Sequence, residues 1–158
     1  MSYWFFFNSI VFIYASWQVL QHFSYQPTYT HILFGFLGLL FFLFNWTRHA
    51  VFSTIRTSSN RPAKIRWVNL SKVIRPYHRW IGTSALVMII IHAVLIIQRY
   101  GIYWTSTKML SGLFALTTLI AVVLSGWYRL VKPSGWIRRL HLRLGLLLFV
   151  LIVLHLWF

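Results

Sequence analysis

The sequence predicts an all-α membrane protein, a polytopic bundle of five transmembrane helices. Of its 158 residues, 59% are hydrophobic and only 9% are charged, whereas soluble domains average nearer half apolar and about a quarter charged. Apolar runs long enough to cross about 30 Å of hydrocarbon recur along the whole chain. These runs lack the alternation of outer-membrane strands, and an isolated span must satisfy its own backbone, so they are predicted to be helices. We expect one transmembrane domain over residues 1–158, with no soluble domain.

The first predicted span begins almost at the N-terminus. The segment Met1 to Phe7 has neither a positive n-region nor a small-residue cleavage site, so we expect a retained span rather than a signal peptide. Four further apolar segments follow, separated by polar or basic stretches. The predicted spans are residues 3–20, 31–52, 77–98, 109–130 and 137–158.

The basic residues between the spans predict an orientation. The chain has 15 Lys and Arg. The connection after the first span has none, and the connection after the third has only Arg99 and Lys108. The other 13 lie in the second and fourth connections and the span ends beside them, from Arg48 to Arg79 and from Arg129 to Arg143. The positive-inside rule then places the N-terminus in the cytoplasm and the C-terminus outside.

The basic cytoplasmic connection, residues 53–76, is open to two interpretations. Pro62 would suit the start of a helix, and the apolar residues after it recur at helical spacing. These are Ala63, Trp67, Leu70 and Ile74. A short amphipathic helix in the headgroup layer and an irregular basic loop are both compatible with this pattern.

Two missing kinds of residue restrict the chemistry. The chain has no Asp or Glu, which excludes carboxylate acid–base catalysis, carboxylate proton relays and carboxylate sites for hard cations. It also has no Cys, which excludes thioether-attached haem, iron–sulfur clusters, thiolate zinc and disulfides. Histidine is therefore the only strong metal ligand. The ionic partners of Lys and Arg must be lipid phosphate, haem propionates or an acidic protein, and we expect lipid rather than nucleic acid because the charges lie between spans.

Two predicted spans share the motif His-x3-Gly-x9-His. The six motif residues are His78, Gly82 and His92 in the third span and His141, Gly145 and His155 in the fifth. Fourteen residues of helix make about 3.9 turns and about 21 Å. The two histidines of each span therefore lie on nearly one face, near opposite edges of the hydrocarbon core.

The equal spacing predicts two facing pairs of imidazoles. The third and fifth spans run in the same direction, so His78 is expected to face His141 near the cytoplasm and His92 to face His155 near the outside. A single histidine at a helix end is usually an interfacial polar residue, but an imidazole inside the bilayer is functional by default. Four histidines that agree in face, depth and register predict two bis-histidine b haems.

Residues near the cytoplasmic pair have two possible roles each. Gly82 and Gly145 follow the cytoplasmic histidines by one turn, where a missing side chain suits either approach of a porphyrin or close packing of helices. Basic residues surround the same pair and could bind either haem propionates or lipid phosphate. They are Arg75, Arg79, Arg138, Arg139 and Arg143.

The chain resembles the ferric reductase-like transmembrane domain family. In organisation it is most similar to the haem-binding membrane subunit of the bacterial periplasmic methionine sulfoxide reductase system. The resembling stretches are Arg75-Pro-Tyr-His-Arg-Trp-Ile-Gly82 through His92, Leu110-Ser-Gly112, Ser125-Gly-Trp-Tyr-Arg129, and Arg138-Arg-Leu-His141 through His155. The resemblance implies a cytoplasmic haem held by His78 and His141, an outer haem held by His92 and His155, and electrons passing outward.

The chain departs from that family in two respects. The family usually has six spans, whereas residues 1–158 contain five predicted spans. The complete reductases of the family also carry a flavin and nicotinamide domain, which residues 1–158 do not contain. We therefore expect the electron-transfer component of an oxidoreductase in a bacterial or archaeal plasma membrane. Its donor would be a cytoplasmic flavoprotein or membrane quinol, and its acceptor an outer protein or metal. The alternatives are a quinol-linked cytochrome b subunit of a larger complex and, in a different class, a non-redox scaffold or histidine-lined metal permease.

Overall fold

The computed structural model describes residues 2–25, 30–57 and 59–158, the side chains of residues 22–25 excepted. Within them the chain forms six α-helices and no strand, which confirms the all-α prediction for this part of the protein. The helices are α1 (Tyr3–Tyr25), α2 (Thr30–Thr57), α3 (Arg61–Ile74), α4 (His78–Tyr100), α5 (Thr107–Val131) and α6 (Gly135–Trp157).

Four of the helices, α2, α4, α5 and α6, are long and apolar enough to cross a membrane. This supports the prediction of an integral membrane protein with transmembrane helices. The 23-residue helix α1 is not among these four. A span formed by α1, a total of five spans and the orientation of the termini therefore stay predictions.

The connection between the second and third predicted spans contains the helix α3, and not one long loop. The side chain of Asn60 accepts a hydrogen bond from the backbone N–H of Ala63 at 3.3 Å, which caps the helix start. Pro62 lies in the first turn, where its missing N–H costs no hydrogen bond. The prediction of an irregular loop is wrong for Arg61–Ile74, because these local signals suffice to begin a helix.

The chain falls into two compact units, Met1–Ala85 and Leu86–Phe158. In the first unit, α1 packs against α2, and α3 packs against α2. The buried amide of Asn8 donates to the carbonyl oxygen of Leu43 at 3.2 Å, joining α1 to α2. The Trp46 ring stacks on His49 with centroids 4.9 Å apart and contacts Trp4 edge-on at 5.5 Å. Aromatic packing thus holds the middle of α2 against α1.

The second unit is built on the hairpin of α5 and α6, the most extensive helix pair in the described part of the chain. Ser134 caps the start of α6 by accepting from the N–H of Ile137 at 3.2 Å. The short turn before it makes α5 and α6 antiparallel. The helix α4 ends at Gly101, whose φ of 75° lies in the left-handed region that favours glycine. Most side chains of α4 are at least partly exposed, since Ala85 is the one buried residue of this helix.

The Asn60 cap is expected to determine the stability of the first turn of α3. Asn60→Ala removes the acceptor for the Ala63 N–H, a change that costs about 1 kcal/mol at helix starts. We expect faster amide hydrogen exchange in residues 61–65. The matched control is Asn69→Ala, because Asn69 is exposed in the middle of the same helix. Equal exchange rates in the two variants would contradict the role of the cap.

Candidate metal centre

The two histidines of α6 are held against α5 in the same way. On α6, His141 and His155 are 14 residues apart, and on α5, Ser111 and Ser125 have the same separation. Because the helices are antiparallel, one step forward along α6 corresponds to one step back along α5. Ser125 therefore meets His141, and Ser111 meets His155. The hairpin carries two equivalent histidine sites, about 21 Å apart along the axis.

At the first site, the Nδ1 atom of His141 lies 2.9 Å from the hydroxyl oxygen of Ser125 and 3.1 Å from the carbonyl oxygen of Val122. Ser125 itself donates to that same carbonyl oxygen at 2.8 Å. Serine and carbonyl are three residues apart on α5, so one turn of helix supplies both contacts.

The second site repeats this arrangement. The Nδ1 atom of His155 lies 3.2 Å from the hydroxyl oxygen of Ser111 and 3.1 Å from the carbonyl oxygen of Lys108. Ser111 donates to the Lys108 carbonyl oxygen at 2.9 Å.

These contacts determine which ring nitrogen of each histidine can bind a metal. A carbonyl oxygen can only accept, so the Nδ1 atoms of His141 and His155 must carry the proton. The Nε2 atoms then keep their lone pairs. Metal-binding histidines usually donate their other ring N–H to a carbonyl or carboxylate, which sets the tautomer and the ring orientation. Both imidazoles of α6 are in the form that a metal ion requires.

Glycine follows each of the two serines and lets the rings lie against the α5 backbone. A Cβ added to Gly112 would lie 2.9 Å from Cε1 of His155, closer than side chains tolerate. A Cβ added to Gly126 would lie 3.4 Å from Cε1 of His141. These Ser-Gly pairs belong to the stretches that resemble the ferric reductase-like family, but no separate role was predicted for them. Their signal is present in the sequence, because they repeat at the same 14-residue interval as the histidines.

The structure brings the predicted outer pair together within the second unit. The rings of His92, on α4, and His155, on α6, have centroids 6.5 Å apart and planes at 85°. A metal bound by two imidazoles at ~2.0 Å each separates their nitrogens by about 4 Å. The centroid separation of 6.5 Å is larger than this nitrogen separation. The distance between the two rings is therefore compatible with one metal ion between them.

The predicted inner pair is divided between the units. His78 is the first residue of α4 and belongs to the first unit, whereas His141 belongs to the second. The amide of Asn45, on α2, donates to the carbonyl oxygen of His78 at 3.0 Å. The pairing of His78 with His141 stays a prediction.

Gly82 and Gly145, the glycines of the His-x3-Gly-x9-His motif, have different surroundings. A Cβ on Gly82 would lie 3.2 Å from Nδ2 of Asn45, so this glycine lies where α2 approaches α4 closely. That contact favours the helix-packing interpretation of Gly82. Gly145 is partly exposed on α6, and its proposed contact with a porphyrin stays a prediction.

The predicted anion-binding arginines are largely accessible. Arg138, Arg139 and Arg143 are exposed in the first three turns of α6, the end that holds His141. In the first unit, Arg75 is exposed at the end of α3 and Arg79 is partly buried in α4. Since the chain has no Asp or Glu, their counter-ions must be supplied by other molecules.

The described residues offer a histidine pair and no larger ligand group. Among them, no group of three or more His, Cys, Asp or Glu side chains could hold a metal ion. Two imidazoles are the number of protein ligands that a haem iron takes in addition to the four nitrogens of its porphyrin. The His92–His155 pair has that number of ligands.

Comparison with models of known protein families, with curated proteins and with solved structures finds no match for this chain. The resemblance to the ferric reductase-like family accordingly stays a hypothesis.

The two glycines that follow the serines are expected to respond differently to alanine. Gly112→Ala should lower the midpoint of unfolding in a denaturing detergent, because its Cβ would push the His155 ring away from its two acceptors. Gly126→Ala should leave the midpoint unchanged or slightly higher. Its Cβ would lie 3.4 Å from Cε1 of His141, without a clash, and alanine favours a helix more than glycine does. Equal effects of the two substitutions would contradict the close fit at His155.

Proposed function

We propose that this protein is a di-haem b-type electron-transfer protein of the ferric reductase-like kind. The proposal rests on the surroundings of His155. Its Nδ1–H donates to the Lys108 carbonyl oxygen of α5, and its ring centroid lies 6.5 Å from that of His92. These two histidines would be the axial ligands of the outer haem, and His78 and His141 those of the inner haem. The matching anchor of His141 supports the second assignment.

The chemistry of the bound haems would be one-electron oxidation and reduction. The protein's own part is to hold four imidazoles as neutral ligands. Two histidine ligands per iron leave no open coordination position, which suits electron transfer rather than binding of oxygen. The absence of Asp and Glu leaves no carboxylate to relay protons within the bilayer.

The proposed direction of electron transfer is outward, from a cytoplasmic flavoprotein or a membrane quinol to an acceptor protein or metal on the other side. The outward direction is what the family resemblance implies, and the 13 basic residues on one side of the predicted topology indicate which side is cytoplasmic. The exposed arginines beside His141 could bind the propionates of the inner haem. The protein would then be the haem-bearing component of an oxidoreductase, with membrane lipid around it.

Haem binding is tested by the reduced-minus-oxidised visible spectrum of the purified protein, with haem quantified per chain. We expect two six-coordinate low-spin b haems. His92→Ala and His155→Ala should each lose one haem and retain much of the other. The control is His49→Phe, since the His49 ring stacks on Trp46 and contacts the Trp4 ring edge-on with centroids 5.0 Å apart, packing that a phenyl ring can keep. If the wild-type protein, expressed in cells that have ample haem, is purified without colour, the proposal is wrong.

Entry of electrons from an acidic cytoplasmic donor is expected to depend on α3. Arg61, Lys64 and Arg66 are exposed there, and the chain has no acidic group to neutralise them. Replacing all three with Glu should slow reduction of the haems by a cytosolic extract supplied with NADPH, and added salt should slow it in the wild type. Arg99→Glu, on the opposite predicted side, is the control. Unchanged reduction in the triple variant would count against a donor at α3.

A further inference from the structure

Ser111 and Ser125 make hydrogen bonds that packing of α5 against α6 does not by itself require. Each hydroxyl donates its only proton to the carbonyl oxygen three residues earlier, at 2.9 Å for Ser111 and 2.8 Å for Ser125. Only the lone pairs of the hydroxyl oxygen then remain for the neighbouring imidazole. Both serines must therefore accept from a histidine Nδ1–H.

Each Nδ1–H is consequently shared between two acceptors, a carbonyl oxygen and a hydroxyl oxygen. The carbonyl contacts are equal, 3.1 Å at His141 and 3.1 Å at His155. The hydroxyl contacts differ, 2.9 Å from Ser125 to His141 and 3.2 Å from Ser111 to His155. The carbonyl contacts therefore do not distinguish the two sites by length, whereas the serine contacts do.

We propose that Ser111 and Ser125 are positioning residues that adjust the reduction potentials of the two haems separately, Ser125 more strongly than Ser111. This inference rests on the proposed function. An imidazole whose N–H is drawn toward an acceptor becomes a better electron donor through its other nitrogen. A stronger donor stabilises ferric iron over ferrous iron and lowers the reduction potential.

The difference between the two serine–histidine distances has a direction across the predicted topology. The shorter contact lies at His141, on the inner side of the predicted topology, and the longer one at His155, on the outer side. The serines therefore lower the potential of the inner haem more than that of the outer haem. Electrons move toward the higher potential, so this difference favours transfer outward.

The test is a redox titration of the purified full-length protein in nanodiscs, followed by optical and electron paramagnetic resonance spectra. Ser125→Ala should keep both haems, because the Val122 carbonyl oxygen still accepts from His141. It should raise the midpoint potential of the inner haem and leave that of the outer haem unchanged. Ser111→Ala should raise only the outer potential, by a smaller amount. Ser125→Thr keeps a hydroxyl and should restore the wild-type value.

The matched controls lie on the same helix. Thr117 and Thr118 also donate to carbonyl oxygens of α5, at 2.9 and 2.8 Å; Thr117 is exposed and Thr118 is partly exposed. Thr117→Ala and Thr118→Ala remove hydroxyls without touching the described histidine contacts and should shift neither potential. Two haems whose potentials do not move in the serine variants, or move equally in the threonine variants, would overturn this inference alone. A wild-type protein without haem would overturn the proposed function and this inference together.

Discussion

The antiparallel register of α5 and α6 is the constraint on which the candidate site depends. Ser111 and Ser125 meet His155 and His141 because both pairs have the same 14-residue separation on helices that run in opposite directions. A slip of one residue would rotate the serines by about 100° and remove both contacts at once. In a bilayer an imidazole N–H without an acceptor is costly, so the hydrogen bonds that orient the histidines also hold the register.

The charge distribution imposes a second constraint. A chain with 15 basic residues and no acidic ones cannot neutralise itself. Its exposed arginines and lysines on α3 and at the start of α6 need anions from lipid, cofactor or partner. The same absence leaves the hairpin site without carboxylates.

Sequence patterns predicted the ends of three helices well, because length and hydropathy are local properties: the ends of α4, α5 and α6 differ from the predicted spans by at most two residues. The ends of α1 and α2, at Tyr25 and Thr57, lie five residues beyond the predicted ends at 20 and 52. For α3, local signals at Asn60 and Pro62 were present, but an amphipathic basic segment has the same composition as a solvated loop. Packing of α3 against α2 favours the helix. Spacing also identified the histidines but not their supports: the Ser-Gly pairs lie in stretches that carry the family resemblance, but a hydrogen bond to a histidine depends on how α5 packs against α6.

The sequence by itself determined the kind of elements, the number of histidines and their 14-residue interval, and the absence of any other strong ligand, because these depend only on residue type and on the helical repeat. Only the tertiary structure decided that Nδ1 of His141 and of His155 is committed to α5, that His92 lies 6.5 Å from His155, and that Asn45 occupies the space beside Gly82. Those facts join residues from different helices. They follow from the register and distance at which helices pack, which no pattern along a single helix contains.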